Sequence, residues 1–165
     1  MIKKFKHQFV KVIEKFPLLQ IFIYNNLQNF KFLFPHDKDY YALNILFNKN
    51  EKRAFIDVGG NIGLSSIGFR ELGFKNNKII IFEPDKLLIK NYLLKIKKEY
   101  SNLKIYPFGL SNKNSIKKLY RAFYKKKFFH FNNSFSYTYI KKKLFENYGI
   151  ESKKFKIRYK KLTLK

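Results

Sequence analysis

The stretch "AFIDVGGNIGLSSIGF", residues 54–69, decides how this chain folds. A continuous apolar run leads to Asp57, two glycines and an asparagine follow, and an apolar pattern with helical spacing then resumes. This order predicts a buried strand that turns directly into a helix. Downstream, "NKIIIFEP" predicts a second buried strand, "DKLLIKNYLLKIKKEY" a helix capped by Asp85, and "NLKIYPFGLS" a third strand. The alternation of strands and helices predicts an α/β fold with a parallel sheet.

The glycine turn of this stretch is the first candidate functional feature. In an open α/β sheet, the turn after a strand lies at the carboxyl edge, where ligands bind. Gly59 and Gly60 carry no Cβ, so they permit a tight turn and the close approach of a ligand. Gly63 allows the start of the helix to pack near the strand, and Asn61 tolerates unusual backbone angles. The pattern therefore predicts a binding turn with free backbone N–H groups.

The spacing of the turn indicates which ligand it suits. Asp57, Gly59, Asn61 and Gly63 fall at alternate positions, which differs from the G-x-G-x-x-G pattern of dinucleotide sites. An acid at the strand end suits a ligand with an ammonium group and a sulfonium centre. Glu83, at the end of the second strand, can accept both hydroxyls of an adenosine ribose. Together these residues predict S-adenosylmethionine; the alternative is a purely structural glycine turn with a solvated Glu83.

Three segments resemble successive blocks of the FkbM family of S-adenosylmethionine-dependent methyltransferases, over about residues 32–165. They are "FIDVGGNIGLSSI", "IIIFEPDKLLIKNYLLKI" and "LKIYPFGLSNKNS". The glycine loop of that family reads D-V-G-A-N-I-G, and Gly60 takes the alanine position here. The family also places F-E-P at the end of its second strand, as residues 82–84 do.

The resemblance implies a Rossmann-like sheet of the class I methyltransferase type. It implies methyl transfer to a hydroxyl group of the acceptor, which would be a glycan or a small molecule such as a secondary metabolite. It also assigns roles to the cofactor-binding residues: the glycine turn with its aspartate holds the methionine part, Glu83 the ribose, and the loop at Phe108 and Gly109 the adenine. The turn residues are Asp57, Gly59, Gly60, Asn61 and Gly63.

The length of the chain predicts an incomplete methyltransferase domain. We expect residues 1–50 to form a helical N-terminal extension and residues 51–165 a partial Rossmann-like domain. In the resembled family, the stretch similar to "KIRYKKLTLK" is followed by a further core strand, whereas this sequence ends at Lys165. We expect residues 112–139 to form extra strands or loops and the first strand to lie at an exposed edge. Either residues 154–165 pair nearby, or the chain is marginally stable, prone to association and inactive.

The sequence identifies no catalytic base and no metal site. His36 and His130 are candidates for the base only because histidine titrates near neutral pH. The three histidines, with His7, have no spacing typical of metal ligands, and the chain has no cysteine. The lack of cysteine fits a cytoplasmic protein.

The net charge of +25 raises the alternative of a basic binding module for acidic lipid, glycan or nucleic acid without catalysis. The 36 basic residues comprise 32 lysines and 4 arginines. Lysine, asparagine, isoleucine and phenylalanine all have AT-rich codons, so we attribute the charge to codon bias and expect scattered lysines without specific nucleic-acid binding.

Apolar residues recur at helical spacing near the N-terminus: Ile2, Phe5, Phe9, Val12, Ile13 and Phe16. This stripe predicts a helix packed on the domain, and the alternative is an amphipathic helix in peripheral contact with an anionic membrane. No run in the sequence reaches the length of a transmembrane span.

Overall fold

The computed structural model describes residues 16–30, 35 and 38–165, of which 24, 130–132 and 150 are described by their backbone alone. The predicted N-terminal stripe from Ile2 to Ile13, as well as His7 and His36, lies outside the described residues. The described chain forms two compact units. One combines residues up to Asn26 with Lys117–Lys161, and the other combines Leu27–Ile116 with Leu162–Lys165.

The unit around Leu27–Ile116 contains a three-stranded parallel sheet, which confirms the α/β class. Its strands are β1 (Ala54–Val58), β2 (Lys78–Phe82) and β3 (Leu103–Tyr106), in the order β1-β2-β3. Asp57 pairs with Ile81, and Ile79 pairs with Leu103. The strands fall where the apolar runs predicted them.

Helices connect the parallel strands. Here α1 is Pro17–Asn26 in the other unit, α2 is Ala42–Leu46, and α3 is Leu64–Glu71 between β1 and β2. The connection from β2 to β3 is α4, which runs through Lys86–Leu88, a π-helical turn at Ile89–Leu93, and Leu94–Glu99. The Asp85 carboxylate accepts the N–H of Leu87 at 2.8 Å, so the predicted cap of this helix is confirmed.

One face of the parallel sheet carries the core of this unit. Its members alternate along the strands and meet apolar positions of α3 and α4: Ile67, Phe69, Leu72, Phe74, Ile79, Ile81, Leu93, Ile96 and Leu103. The rings of Phe55, Phe69 and Phe74 stack in succession, with centroid distances of 4.5 and 4.6 Å. Burial of this face holds the strand ends, and hence the turns that follow them, in fixed positions.

The other face of the sheet is open at β1, which is an edge strand of the sheet, as predicted. Ile56 is 56% exposed and Val58 is 61% exposed. Both side chains point away from the core because successive residues of a strand alternate between faces.

The second unit contains a sheet that the sequence did not predict in this form. Its strands are β4 (Ser115–Tyr124), β5 (Lys127–Ser134) and β6 (Phe155–Leu164), in the order β5-β4-β6. β4 and β5 pair in antiparallel fashion, and a second sheet of this kind is not typical of a Rossmann-like fold, so the Rossmann-like expectation is not confirmed. β6, which makes up most of residues 154–165, is thus a neighbour of β4.

Helix α5 (Tyr137–Tyr148) completes the second unit with α1. Aromatic and aliphatic residues form its core: Ile21, Ala122, Tyr124, Phe129, Ile140, Leu144, Tyr148 and Phe155. The Tyr148 hydroxyl donates to the Gln20 side-chain oxygen inside this unit. Among the helices that the structure describes, none combines the length and apolar composition that a bilayer crossing requires.

Candidate functional site

The turn between β1 and α3 has three residues with left-handed backbone angles. Gly59 has φ +76°, Asn61 has φ +48° and Gly63 has φ +81°. The N–H groups of Gly59 and Gly60 donate to the Phe82 carbonyl at 2.8 and 3.3 Å, and the Gly63 N–H donates to the Gly60 carbonyl at 2.6 Å. The expectation of free N–H groups is therefore wrong at these positions, because the turn continues the pairing with β2. Occupied donors cannot cradle a phosphate.

The three glycines are required for different reasons. A Cβ at Gly60 would lie 2.3 Å from Ile81 Cγ2, and a Cβ at Gly63 would lie 2.2 Å from Ile96 Cδ1. Gly63 therefore serves the packing of the turn on α4 and not on the strand. A Cβ at Gly59 would meet nothing within 4 Å. Gly59 is thus the position at which the backbone faces open space.

Glu83 follows β2 directly and lies at the same edge as the turn. Its side chain accepts the N–H of Asn61 at 2.8 Å and the N–H of Asp85 at 2.7 Å. Its own N–H donates to the Tyr106 carbonyl at 3.1 Å. Only 5% of Glu83 is exposed, so it is not a solvated acid at a strand end. The carboxylate joins the glycine turn to the start of α4.

Asp57 places a second buried carboxylate on the neighbouring strand. It is 8% exposed, and its Oδ2 accepts the hydroxyl of the fully buried Ser66 at 2.8 Å. The sequence reasoning missed Ser66. Its signal is a polar residue on the inward face of α3, nine residues after Asp57, where the helical pattern calls for an apolar side chain.

Burial disfavours the charged forms of both acids. It raises the pKa of Glu83 to about 7, against the lowering effect of the two backbone N–H groups, and the neighbouring charges of Asp85 and Asp57 add to the increase. Burial also raises the pKa of Asp57, and the Ser66 hydrogen bond opposes that increase. Within the described part of the chain, neither carboxylate has a cationic partner. The site therefore favours a ligand that brings positive charge or hydroxyl donors.

The loop after β3 adds an aromatic wall to this edge of the sheet. The rings of Phe82 and Tyr106 stack at 5.2 Å, and Phe108 lies 5.6 Å from the first and 5.7 Å from the second. Lys165 Nζ lies 5.0 Å from the Phe108 ring centroid. An aromatic cluster of this kind offers flat surfaces to a planar ligand group.

Gly109 is fixed by the last residues of the chain. It forms a parallel bridge with Leu164, its N–H donates to the Thr163 carbonyl at 3.2 Å, and its carbonyl accepts the Lys165 N–H at 2.9 Å. A Cβ at Gly109 would lie 2.7 Å from Leu164 Cδ2 and 3.5 Å from Pro84 Cγ. No local pattern in the sequence indicates this pairing, because its partners are more than fifty residues apart in the chain.

The structure thus brings the predicted cofactor residues to one edge of the parallel sheet, through the contacts of Phe82 and Glu83. A further contact of the turn comes from Gln28, whose side-chain amide donates a hydrogen bond to the Ile62 carbonyl. His36 lies outside the described residues, and the side chain of His130 is not described, so neither candidate base is placed. Comparison of the chain with models of known protein families, with curated proteins and with solved structures finds no match.

Proposed function

We propose that this chain binds S-adenosylmethionine at the carboxyl edge of its parallel sheet and acts as a methyltransferase of the class I, Rossmann-like type on a hydroxyl acceptor. The observation that carries the proposal is the pair of buried carboxylates, Asp57 and Glu83, which follow neighbouring strands and lack a cationic partner among the described residues. A ligand with an ammonium group and a sulfonium centre would supply the missing positive charge.

The ribose assignment of Glu83 is compatible with its existing contacts. Each of its oxygens accepts one backbone N–H, at 2.8 Å from Asn61 and 2.7 Å from Asp85. A carboxylate oxygen has two acceptor positions, so each retains one for a hydroxyl. The two backbone bonds fix the orientation of the carboxylate before the ligand arrives, which reduces the entropy cost of binding.

The glycine turn supports the same ligand class over a dinucleotide. Its N–H groups at Gly59 and Gly60 are bonded to Phe82, so they are not directed at a pyrophosphate. Gly59 leaves open space beside the backbone, which allows a methionine moiety to approach closely. When bound, S-adenosylmethionine supplies an activated methyl group. The residues of this edge hold the ligand, and the two carboxylates offset its positive charge.

Titration calorimetry tests the proposal. Wild-type protein should bind S-adenosylmethionine saturably and should bind the product S-adenosylhomocysteine more weakly, because the product keeps the ammonium group but lacks the sulfonium charge. Glu83→Ala should weaken binding by about 1.5–3 kcal/mol through the loss of charge-assisted hydrogen bonds. Glu71→Ala removes an exposed carboxylate whose contact is the Tyr100 hydroxyl at 3.3 Å, so it serves as the matched control.

The circular dichroism spectrum of each variant must first show that it is folded. Absence of binding to the folded wild type would overturn the cofactor assignment. Equal affinity of the wild type and Glu83→Ala would overturn the ribose assignment alone. With binding in place, transfer of a labelled methyl group to a panel of glycans and hydroxylated metabolites tests the reaction.

A further inference from the structure

A basic groove lies at the amino edge of the parallel sheet, at the opposite end of the strands from the carboxylate pair. Its volume is about 460 Å³. Four of its lining residues are cationic, namely Lys52, Arg53, Lys78 and Lys104. The others are amide or hydroxyl residues, Asn76, Ser101 and Asn102, and none of the seven is acidic. Every side chain of the lining can therefore donate a hydrogen bond to an anion.

The strand register explains why the lysines converge. Ile80 pairs with Lys104, so Lys78 lies two residues before the partner of Lys104 on the adjacent strand. Residues with this offset are on the same face of the sheet. Both lysines project from the open face, opposite the core residues Ile79 and Leu103. Lys52, just before β1, adds a third cation at the same edge.

The ion pairs of the described chain engage other cations than these three lysines. Lys142 and Lys143 pair with Glu146, and Lys154 pairs with Glu151. In the groove, Arg53 pairs with Glu51 at 2.5 Å. Lys52, Lys78 and Lys104 make no ion pair within the described part of the chain. No acid among the described residues pairs with them, so a bound anion or solvent counterions would relieve their mutual repulsion.

The lining also indicates what kind of anion fits. Lysine ammonium groups are point charges on flexible stems, whereas the arginine fork orients a single oxyanion. The one arginine is already engaged with Glu51 and lies 5.0 Å from the Phe47 ring. None of the described lining residues is aromatic, so they offer no surface on which a nucleobase could stack. These features suit charge that is spread over several linked oxyanions.

We propose that the groove binds a soluble oligophosphate, an anion with two or more linked phosphoryl groups. The lysines neutralise successive phosphoryl groups, and Asn76, Ser101 and Asn102 donate to their remaining oxygens. The site is separate from the carboxyl edge, so it does not depend on the proposed methyltransferase function.

Calorimetry with inorganic triphosphate as the probe tests this assignment on the full chain, at an ionic strength of about 0.15 M. Lys78→Gln with Lys104→Gln removes two groove cations. Lys90→Gln with Lys97→Gln removes the same charge from exposed positions of α4 and is the matched control. We expect the wild type and the control to bind alike and the groove variant to bind about tenfold more weakly. Inorganic monophosphate should bind the wild type about tenfold more weakly than triphosphate.

Two further probes separate the oligophosphate from large polyanions: vesicles that contain phosphatidylglycerol, and a single-stranded oligonucleotide. The proposal is supported if the groove variant loses triphosphate binding while its thermal unfolding stays cooperative. It is overturned if the folded wild type does not bind triphosphate, or if the groove and control variants lose affinity equally, since net charge alone would then explain binding. It is also overturned if only vesicle or oligonucleotide binding depends on the groove lysines.

Discussion

Glu83 accepts the backbone N–H of Asn61 at 2.8 Å, across 22 residues of sequence. Asn61 has a left-handed φ of +48°, which asparagine tolerates better than most residues with a Cβ. The hydrogen bond stabilises this backbone conformation of the turn, and its acceptor is a carboxylate whose pKa is raised to about 7. The conformation of the turn and the protonation of Glu83 are coupled.

Protonation of Glu83 should make the stability of the chain depend on pH. Its pKa rises from 4.5 in the unfolded chain to about 7 in the fold, so the folded state holds the proton more tightly. The contribution is fully present below pH 4.5 and is lost as the pH rises through 7. Burial raises the pKa of Asp57 in the same direction. Urea unfolding at a series of pH values should show the free energy of unfolding falling towards neutral pH.

Glu83→Gln should flatten that pH dependence, because the amide does not titrate. Glu71→Gln should leave it unchanged, since Glu71 is exposed. A slope that persists in Glu83→Gln would assign the dependence to other groups. The Gln variant also exchanges one acceptor for an NH₂ donor, so a lower stability at every pH is expected beside the flatter slope.

Gly59→Ala should reduce S-adenosylmethionine affinity, whereas Gly149→Ala should not. Both glycines have positive φ, +76° and +54°, and at both a Cβ would meet nothing within 4 Å. Each substitution therefore costs about 1 kcal/mol or more of backbone strain without a steric clash. Only Gly59 borders the proposed ligand. Melting temperatures report the strain and calorimetric titration reports the binding; equal affinities in the two variants would place the ligand elsewhere.

Gly60→Ala should destabilise the chain through Ile81. The added Cβ would lie 2.3 Å from Ile81 Cγ2, and overpacking of this kind costs about 1–3 kcal/mol. Ile81→Leu removes the methyl branch at Cβ while keeping the side-chain volume. The double variant should therefore be more stable than the sum of the two single changes predicts, by urea unfolding. If the two changes in the free energy of unfolding simply add, the contact with Ile81 is not the reason why position 60 requires glycine.

The β4–β5 hairpin should become more stable when Lys125 and Lys126 are replaced by Asn-Gly. The two lysines form the two-residue loop between Tyr124 and Lys127 and have φ +45° and +68°. Hairpin loops with two positive φ angles prefer Asn-Gly, and a residue with a long side chain costs about 1–2 kcal/mol there. Lys125→Gln with Lys126→Gln is the control for lost charge. A gain in the free energy of unfolding that the Gln variant shares would assign the effect to charge instead of strain.

The features that the sequence predicted correctly are those encoded by neighbouring residues. The apolar run before Asp57, the cap at Asp85 and the strand before Glu83 each carry a local pattern that tertiary packing did not override. The edge position of β1 was also predicted correctly, because the later strands β2 and β3 lie on one side of β1.

The features that the sequence missed depend on residues far apart in the chain. The hydrogen bonds from Gly59 and Gly60 to Phe82 exist because the contact between β1 and β2 continues beyond their last paired residues, Val58 and Phe82. The bridge from Gly109 to Leu164 and the position of β6 beside β4 likewise depend on tertiary context. The alternation of residues in a segment rich in lysine and aromatic residues predicts that the segment forms a strand. It does not predict which other strand will pair with it.

The edge of β1 has a consequence for the behaviour of the protein in solution. Gly59 donates to β2, so by alternation the N–H groups of Ile56 and Val58 point away from that strand, and their apolar side chains are exposed. An apolar edge without lysine or proline is a template on which another copy could add a strand. The charge of +25 keeps copies apart at low salt, but the Debye length falls from about 10 Å at 0.1 M to about 3 Å at 1 M. Colloidal stability should therefore decrease with added salt, so buffers of low ionic strength are the ones in which to keep this chain monodisperse.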